Sequence, residues 1–163
     1  MDLTYRPRRL RRTNSLRDMV RENSVSASDF IYPLFVHEGS DIQEIAAMPG
    51  AFRWSMDSLV DEVKRAWNLG IRCVVLFPKV PEELKTEDGA ECFNEKGLIP
   101  RAIERLKIEI PEMCIMTDVA LDPYSCDGHD GIVSNQGIIL NDETVDYLCK
   151  QAVVQAQSGA DLI

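Results

Sequence analysis

The residues best able to do chemistry lie between Thr117 and Gly131, where Asp118, Asp122, Asp127, His129 and Asp130 crowd into one short stretch. The apolar run 114–119, bounded by Pro111 and Pro123, predicts a brief buried strand. The loop after it therefore lies beyond the carboxyl end of a strand, where parallel α/β folds place their ligands. Composition alone fits a solvated acidic turn equally well. Asp118 tips the balance, because it is a charged residue inside an otherwise apolar predicted strand. A carboxylate so placed needs hydrogen bonds, a cation or a proton to offset its desolvation.

Two partners suit it. One is a hard cation such as Mg²⁺, which prefers carboxylate and water ligands; the other is a substrate amine. An EF-hand does not fit, since its spacing would put Tyr124 and Cys126 at ligand positions and supplies no bidentate Glu. Zinc does not fit either. The five cysteines, 73, 92, 114, 126 and 149, show no C-x-x-C pairing, and one histidine beside three carboxylates is a poor tetrahedral set. The residues leave the choice between cation and amine open. Two further side chains at strand ends could act: His37 as ligand, base or hydrogen-bonded structural residue, and Lys79 as Schiff-base former or ordinary loop lysine.

The elements that would position these groups follow a regular rhythm. Apolar runs starting near 31, 73, 114 and 160 predict strands about 41 to 46 residues apart, the spacing of a parallel α/β fold. Pro33 weakens the first of them slightly. A helix over 58–69 has Leu59, Val63, Ala66 and Trp67 on one face, Ser55 or Ser58 as N-cap and Gly70 as stop. A second helix runs from Arg101 to Ile110 after Pro100, with Ile103, Leu106 and Ile110 inward. A third opens at Asn141, buries Val145, Leu148, Cys149, Ala152, Val153 and Ala156, and ends at Gly159. Residues 82–97 read as a long exposed loop of the kind that joins sites or interfaces. Cys73, Cys114 and Cys149 read as core, Cys92 and Cys126 as accessible.

At 163 residues and 45% hydrophobic, the chain can bury a real core. No run approaches the roughly 18 apolar residues of a membrane span, and the start lacks a signal peptide's apolar segment. Reduced cysteines then point to the cytoplasm or an organelle stroma. The net charge of −9 is divided: residues 1–28 hold seven arginines and carry +4, whereas residues 29–163 carry −13. Such an arm could seek nucleic acid, but an acidic body repels phosphate. It is better suited to docking on the acidic body of a neighbouring subunit.

Taken together, Arg6–Arg12, Tyr32–Val36, Met48–Gly50, Leu76–Pro78, Thr117–Tyr124, Gly128–Gly131 and Leu140–Val145 resemble, in order, the 5-aminolaevulinate dehydratases, or porphobilinogen synthases. The likeness covers about the first half of that family. It implies a TIM (β/α)₈ barrel, here its first four β/α units over residues 29–163, with residues 1–28 as an arm wrapping a neighbour, usually in an octamer. The implied reaction joins two molecules of 5-aminolaevulinate, with loss of two waters, to make porphobilinogen for haem and chlorophyll. Where the zinc-dependent branch has three metal-binding cysteines this sequence has Ala120, Asp122 and Asp130, so it resembles the aspartate-rich branch and implies Mg²⁺ rather than catalytic zinc. Asp118 matches an active-site aspartate and Phe77 a pocket aromatic. Asp122 and Asp130 would serve as acid–base groups or as holders of water or metal. Cys126 stands where Ser is usual, for no evident physical reason.

The same resemblance implies a lack. None of the six lysines (64, 79, 85, 96, 107, 150) falls in the family's Schiff-base motifs, so the chain alone is expected to be inactive. Four units are half of a barrel that takes on the order of 250 residues, and an open parallel edge is one that proteins avoid; a piece of a larger protein is expected. The competing expectation is a short, non-catalytic paralogue that docks into full-length oligomers. A weaker third is an independent lyase using Lys79 with Asp118 and Asp122. The compartment implied is the cytoplasm, or the plastid stroma if a transit peptide lies upstream or has been removed.

Overall fold

The computed structural model describes residues 4–163, so residues 1–3 of the expected arm lie outside the described residues. The described strands are β1 (Ile31–His37), β2 (Gln43–Glu44), β3 (Phe52–Trp54), β4 (Cys73–Lys79) and β5 (Cys114–Thr117), and they form one sheet in the order β2-β3-β1-β4-β5. β1, β4 and β5 run parallel, in register from Ile31 beside Cys73 beside Cys114 up to Leu34 beside Leu76 beside Thr117. β3 joins β1 in parallel at Phe35 and Val36, and β2 folds back antiparallel on β3. These two short strands were not foreseen. Pro33 lies below the β1–β3 pairing, where that side of the strand asks for no ladder donor.

The helices are α1 (Asn14–Met19), α2 (Met56–Asn68), α3 (Leu98–Glu109) and α4 (Asn141–Gln157). The Ser58 amide donates to Ser55 Oγ at the start of α2, and Gly70 just beyond it takes φ +97°, a left-handed turn that an L side chain rarely adopts. α3 starts at Leu98 rather than Arg101, so Pro100 stands in its first turn. The fourth strand expected from 160 has begun at Leu162, which bridges Met116 in parallel.

Because side chains alternate along a strand, the sheet has two unlike faces. Leu34, Val36, Val74, Leu76 and Ile115 are buried with Leu59, Val63, Ile103 and Leu106 of α2 and α3, and this is the main core. The opposite face carries Pro33, Val75, Phe77 and Met116 along an open groove. Ile31 at its foot is 47% exposed. Among the described residues, one face of the sheet is covered and the other is open.

Several burial expectations are corrected. On α4 the buried residues are Thr144, Gln151, Val154 and Gln155, whereas Val145, Cys149, Val153 and Ala156 face outward. The helix turns a polar side to the sheet because that side meets main chain rather than hydrocarbon. Residues 82–97 are not a loose exposed loop. They form two 3₁₀ turns, and Cys92 packs with Val80, Leu121 and Tyr124 in a second small core. Burial pushes the Cys92 thiol up to about 12 and that of Cys73, beside Cys114, up to about 11. A short iodoacetamide pulse at neutral pH is therefore expected to alkylate exposed Cys126 and Cys149 and spare Cys73 and Cys92, read by peptide mass.

One buried charge ties α2 to β1. Glu62, 6% exposed, accepts two hydrogen bonds from Arg65, at 2.7 and 2.6 Å, and one from the Tyr32 hydroxyl at 2.7 Å. Burial alone would raise its pKa; the bonds from Arg65 and Tyr32 outweigh that and hold it below 4.5. A depressed folded-state pKa gives stability that is present above the unfolded value and lost as pH falls through the folded one. Glu62→Gln is thus expected to flatten the acid side of a melting-temperature profile, below about pH 4.5, with little change in the slope above it.

The arm, residues 4–28, is almost wholly exposed and carries apolar Leu10, Met19 and Val25 beside its arginines.

Candidate active site

The open face of the sheet leads upward to the chemistry. At its carboxyl end Phe35 and Phe77 are register partners with ring centroids 5.6 Å apart. His37 and Lys79 are paired one step higher. Lys79 is the last residue of β4 rather than a loop residue beyond it, and its ammonium bonds Glu82 at 2.9 Å. His37 is 6% exposed; its Nε2 donates to the Asp41 carbonyl at 2.9 Å and its Nδ1 accepts from the Gly39 amide at 3.1 Å. Both ring nitrogens are used by the backbone, so His37 is the structural alternative.

β5 ends at Thr117, and Asp118 is the first residue beyond it. It is exposed, not buried inside a strand. The desolvation argument therefore does not apply to it, although its place at the rim of the groove, beside Phe77, does suit a ligand.

The following loop is built rather than slack. Leu121 and Tyr124 anchor it in the second core, and Thr86 pairs across to it: the Thr86 amide donates to the Tyr124 carbonyl at 3.2 Å and the Cys126 amide to the Thr86 carbonyl at 3.1 Å. Asp88 completes the tie, accepting from Thr86 Oγ1 at 2.6 Å and from the Tyr147 hydroxyl of α4 at 2.9 Å. Further on, the Ile132 amide donates to Thr144 Oγ1 at 3.0 Å, and a Cβ on Gly131 would stand 2.8 Å from Ile139. Any larger residue there would have to push the half-exposed Ile139 side chain aside.

This scaffold carries Asp118, Asp122 and Asp130 in one segment, and all three are exposed. The Asp122 pKa is raised, first by the partial loss of hydration at its carboxyl, then by the neighbouring Asp130 and Asp118. Among the described residues no three His, Cys, Asp or Glu side chains stand close enough to hold a metal ion. Asp127 and His129 are exposed, and His129 Nδ1 accepts from the Gly131 amide.

The family model for delta-aminolevulinic acid dehydratase matches residues 4–163. The chain belongs to that family. It is 54% identical over its whole length to the chloroplastic delta-aminolevulinic acid dehydratase of Glycine max and 56% identical, over 97% of its length, to that of Physcomitrium patens. It spans only 40% and 37% of those two dehydratases. The crystal structure of the dehydratase (porphobilinogen synthase) from Toxoplasma gondii ME49, in complex with the reaction product porphobilinogen, superposes with a TM-score of 0.94 and 49% identity over 98% of this chain and 46% of that one. The sheet of this chain is accordingly part of the dehydratase TIM barrel, and its open face is the part that lines the inside.

Two features of the candidate site escaped sequence reading. Phe35, beside Phe77, lay in a run that reads simply as core. On α4, Gln151 and Gln155 are each 1% exposed and reach main chain around Asp118. Nothing in a helix sequence separates such glutamines from a solvated face.

Proposed function

We propose that this chain is the part of a porphobilinogen synthase that handles protons, in a polypeptide that condenses two molecules of 5-aminolaevulinate into porphobilinogen with loss of two waters. The observation that carries this is Asp118 at the rim of the groove that Phe77 lines, with Asp122, its pKa raised by partial burial and acidic neighbours, four residues further along the same loop. Phe77 and Phe35 form an apolar wall for the carbon skeleton. Asp118, exposed at the rim, holds the substrate ammonium. Asp122 and Asp130 serve as the acid–base groups, one taking a proton from the amine as the other gives one to a departing hydroxyl. The aspartates at 122 and 130, and alanine at 120, put the chain with the aspartate-rich members. Carboxylate oxygens suit Mg²⁺, which Asp122 and Asp130 would hold with water filling the remaining positions.

The arm supports assembly. Its positive charge and exposed Leu10, Met19 and Val25 fit the acidic body of a second subunit, in a homo-oligomer of octamer type. The plant relatives are named as chloroplastic, which favours the plastid stroma.

The imine-forming lysines belong to the part of the barrel that this chain does not span. Lys79, the lysine on the inner face, is tied to Glu82, which also takes Lys85 at 2.9 Å. Incubating the 163-residue chain with 5-aminolaevulinate, reducing with borohydride and weighing the intact protein is expected to show no adduct. The same treatment of the complete polypeptide is expected to show one. A stoichiometric adduct on Lys79 would transfer the nucleophile to this chain and favour the independent lyase.

A further inference from the structure

We propose that Gln151 and Gln155 of α4 are positioning residues for the aspartate site, a paired clamp that fixes the irregular main chain from Asp118 to Ala120, which carries Asp118 and leads into Asp122. The inference rests on the reading of Asp118 as ammonium holder and Asp122 as an acid–base group. Beyond Thr117 the strand ladder stops, and the carbonyls of the next residues lose their sheet partners. Gln155 Nε2 donates to the Asp118 carbonyl at 3.0 Å, while its Oε1 accepts from Thr117 Oγ1 at 2.8 Å. Gln151, one turn earlier, donates from Nε2 to the Ala120 carbonyl at 3.3 Å. Residues four apart lie one above the other on a helix face, so the two amides meet carbonyls two apart on an extended segment.

The burial makes this more than a coincidence of neighbours. Both glutamines are 1% exposed, and a long polar side chain is taken so deep only where its bonds offset the desolvation. Gln151 Oε1 is the one buried side-chain polar atom without a partner among the described residues. Leucine would fill the volume without leaving it so. The amide is kept because its N–H groups are needed. The clamp explains why α4 shows the sheet a polar face and sends Val145 and Val153 outward.

The test uses the complete polypeptide with Gln155→Glu and Gln155→Met. A buried glutamic acid titrates above the usual carboxylate range. Protonated, it can still accept from Thr117 and donate to the Asp118 carbonyl; ionised, it cannot donate. Gln155→Glu is therefore expected to approach wild-type kcat at the acid end of the activity profile and to lose about 10- to 100-fold as pH rises, with KM within about threefold. The wild type should lack that limb. Gln155→Met should show the loss at every pH. Retention of kcat by both folded variants across the profile would overturn the clamp. Should the wild type make no porphobilinogen, the functional reading fails instead. Amide exchange over 118–122 then decides: faster exchange in Gln155→Met supports the clamp, and unchanged exchange refutes it.

Discussion

Asp122→Asn in the complete polypeptide is expected to lower kcat for porphobilinogen formation by about 10²- to 10⁴-fold, the range of a lost general acid–base group, without unfolding the protein. Asn has nearly the shape of Asp and can still hydrogen-bond Asp130. What it cannot do is give up or take a proton. The Asp122 pKa is raised, by partial burial first and then by Asp130 and Asp118, so the substitution removes the group whose acidity the neighbours shift. Asp127→Asn is the matched control, since Asp127 lies on the same loop, is exposed, and has no part in the raised pKa. Colorimetric product assays with circular dichroism on the same samples check both. Equal activity for Asp122→Asn and Asp127→Asn would remove the aspartate pair from the mechanism.

Leu76→Ala in the 163-residue chain is expected to cost about 2–5 kcal/mol, enough to unfold a domain of ordinary stability. Leu76 is 1% exposed on β4, between β1 and β5, and packs into the core under α2 and α3. Val75, its neighbour in sequence, points to the open groove. Val75→Ala in the same chain should cost under about 1 kcal/mol, because little apolar surface leaves water there on folding. In the complete polypeptide the remaining strands would close over that face, and the Val75 cost should rise toward a core value. Urea unfolding of the three variants and their two parents measures this. Equal costs for the two substitutions in the 163-residue chain would mean that something already covers the inner face, a second copy of the chain first among the possibilities.

The contrast between Leu76 and Val75 also marks where sequence reading stops. Cys73–Phe77 is apolar throughout, so periodicity could say strand but not which side met the helices. The rhythm of strand and helix was legible, because apolar runs, Ser55 as a cap and Gly70 as a stop act within a few residues of one another. The aspartate loop was legible as a loop beyond a strand end, since Pro123 and the glycines act locally.

What went astray depended on partners distant along the chain. Asp118 was placed in a strand and proved to be the first residue outside it, a boundary set by pairing with β4. The loop over 82–97 looked solvated until Cys92 met Leu121 and Tyr124. The α4 stripe of Val145, Cys149 and Val153 had the right period for burial and the wrong side, because the helix faces carbonyls that only Gln151 and Gln155 can satisfy. By itself the sequence determined the local elements and the likeness to a family, and it named the aspartates as candidates. Only the tertiary structure decided which face of the sheet is open and which amides hold the main chain beyond β5, since these depend on groups brought together from positions 30 or more residues apart.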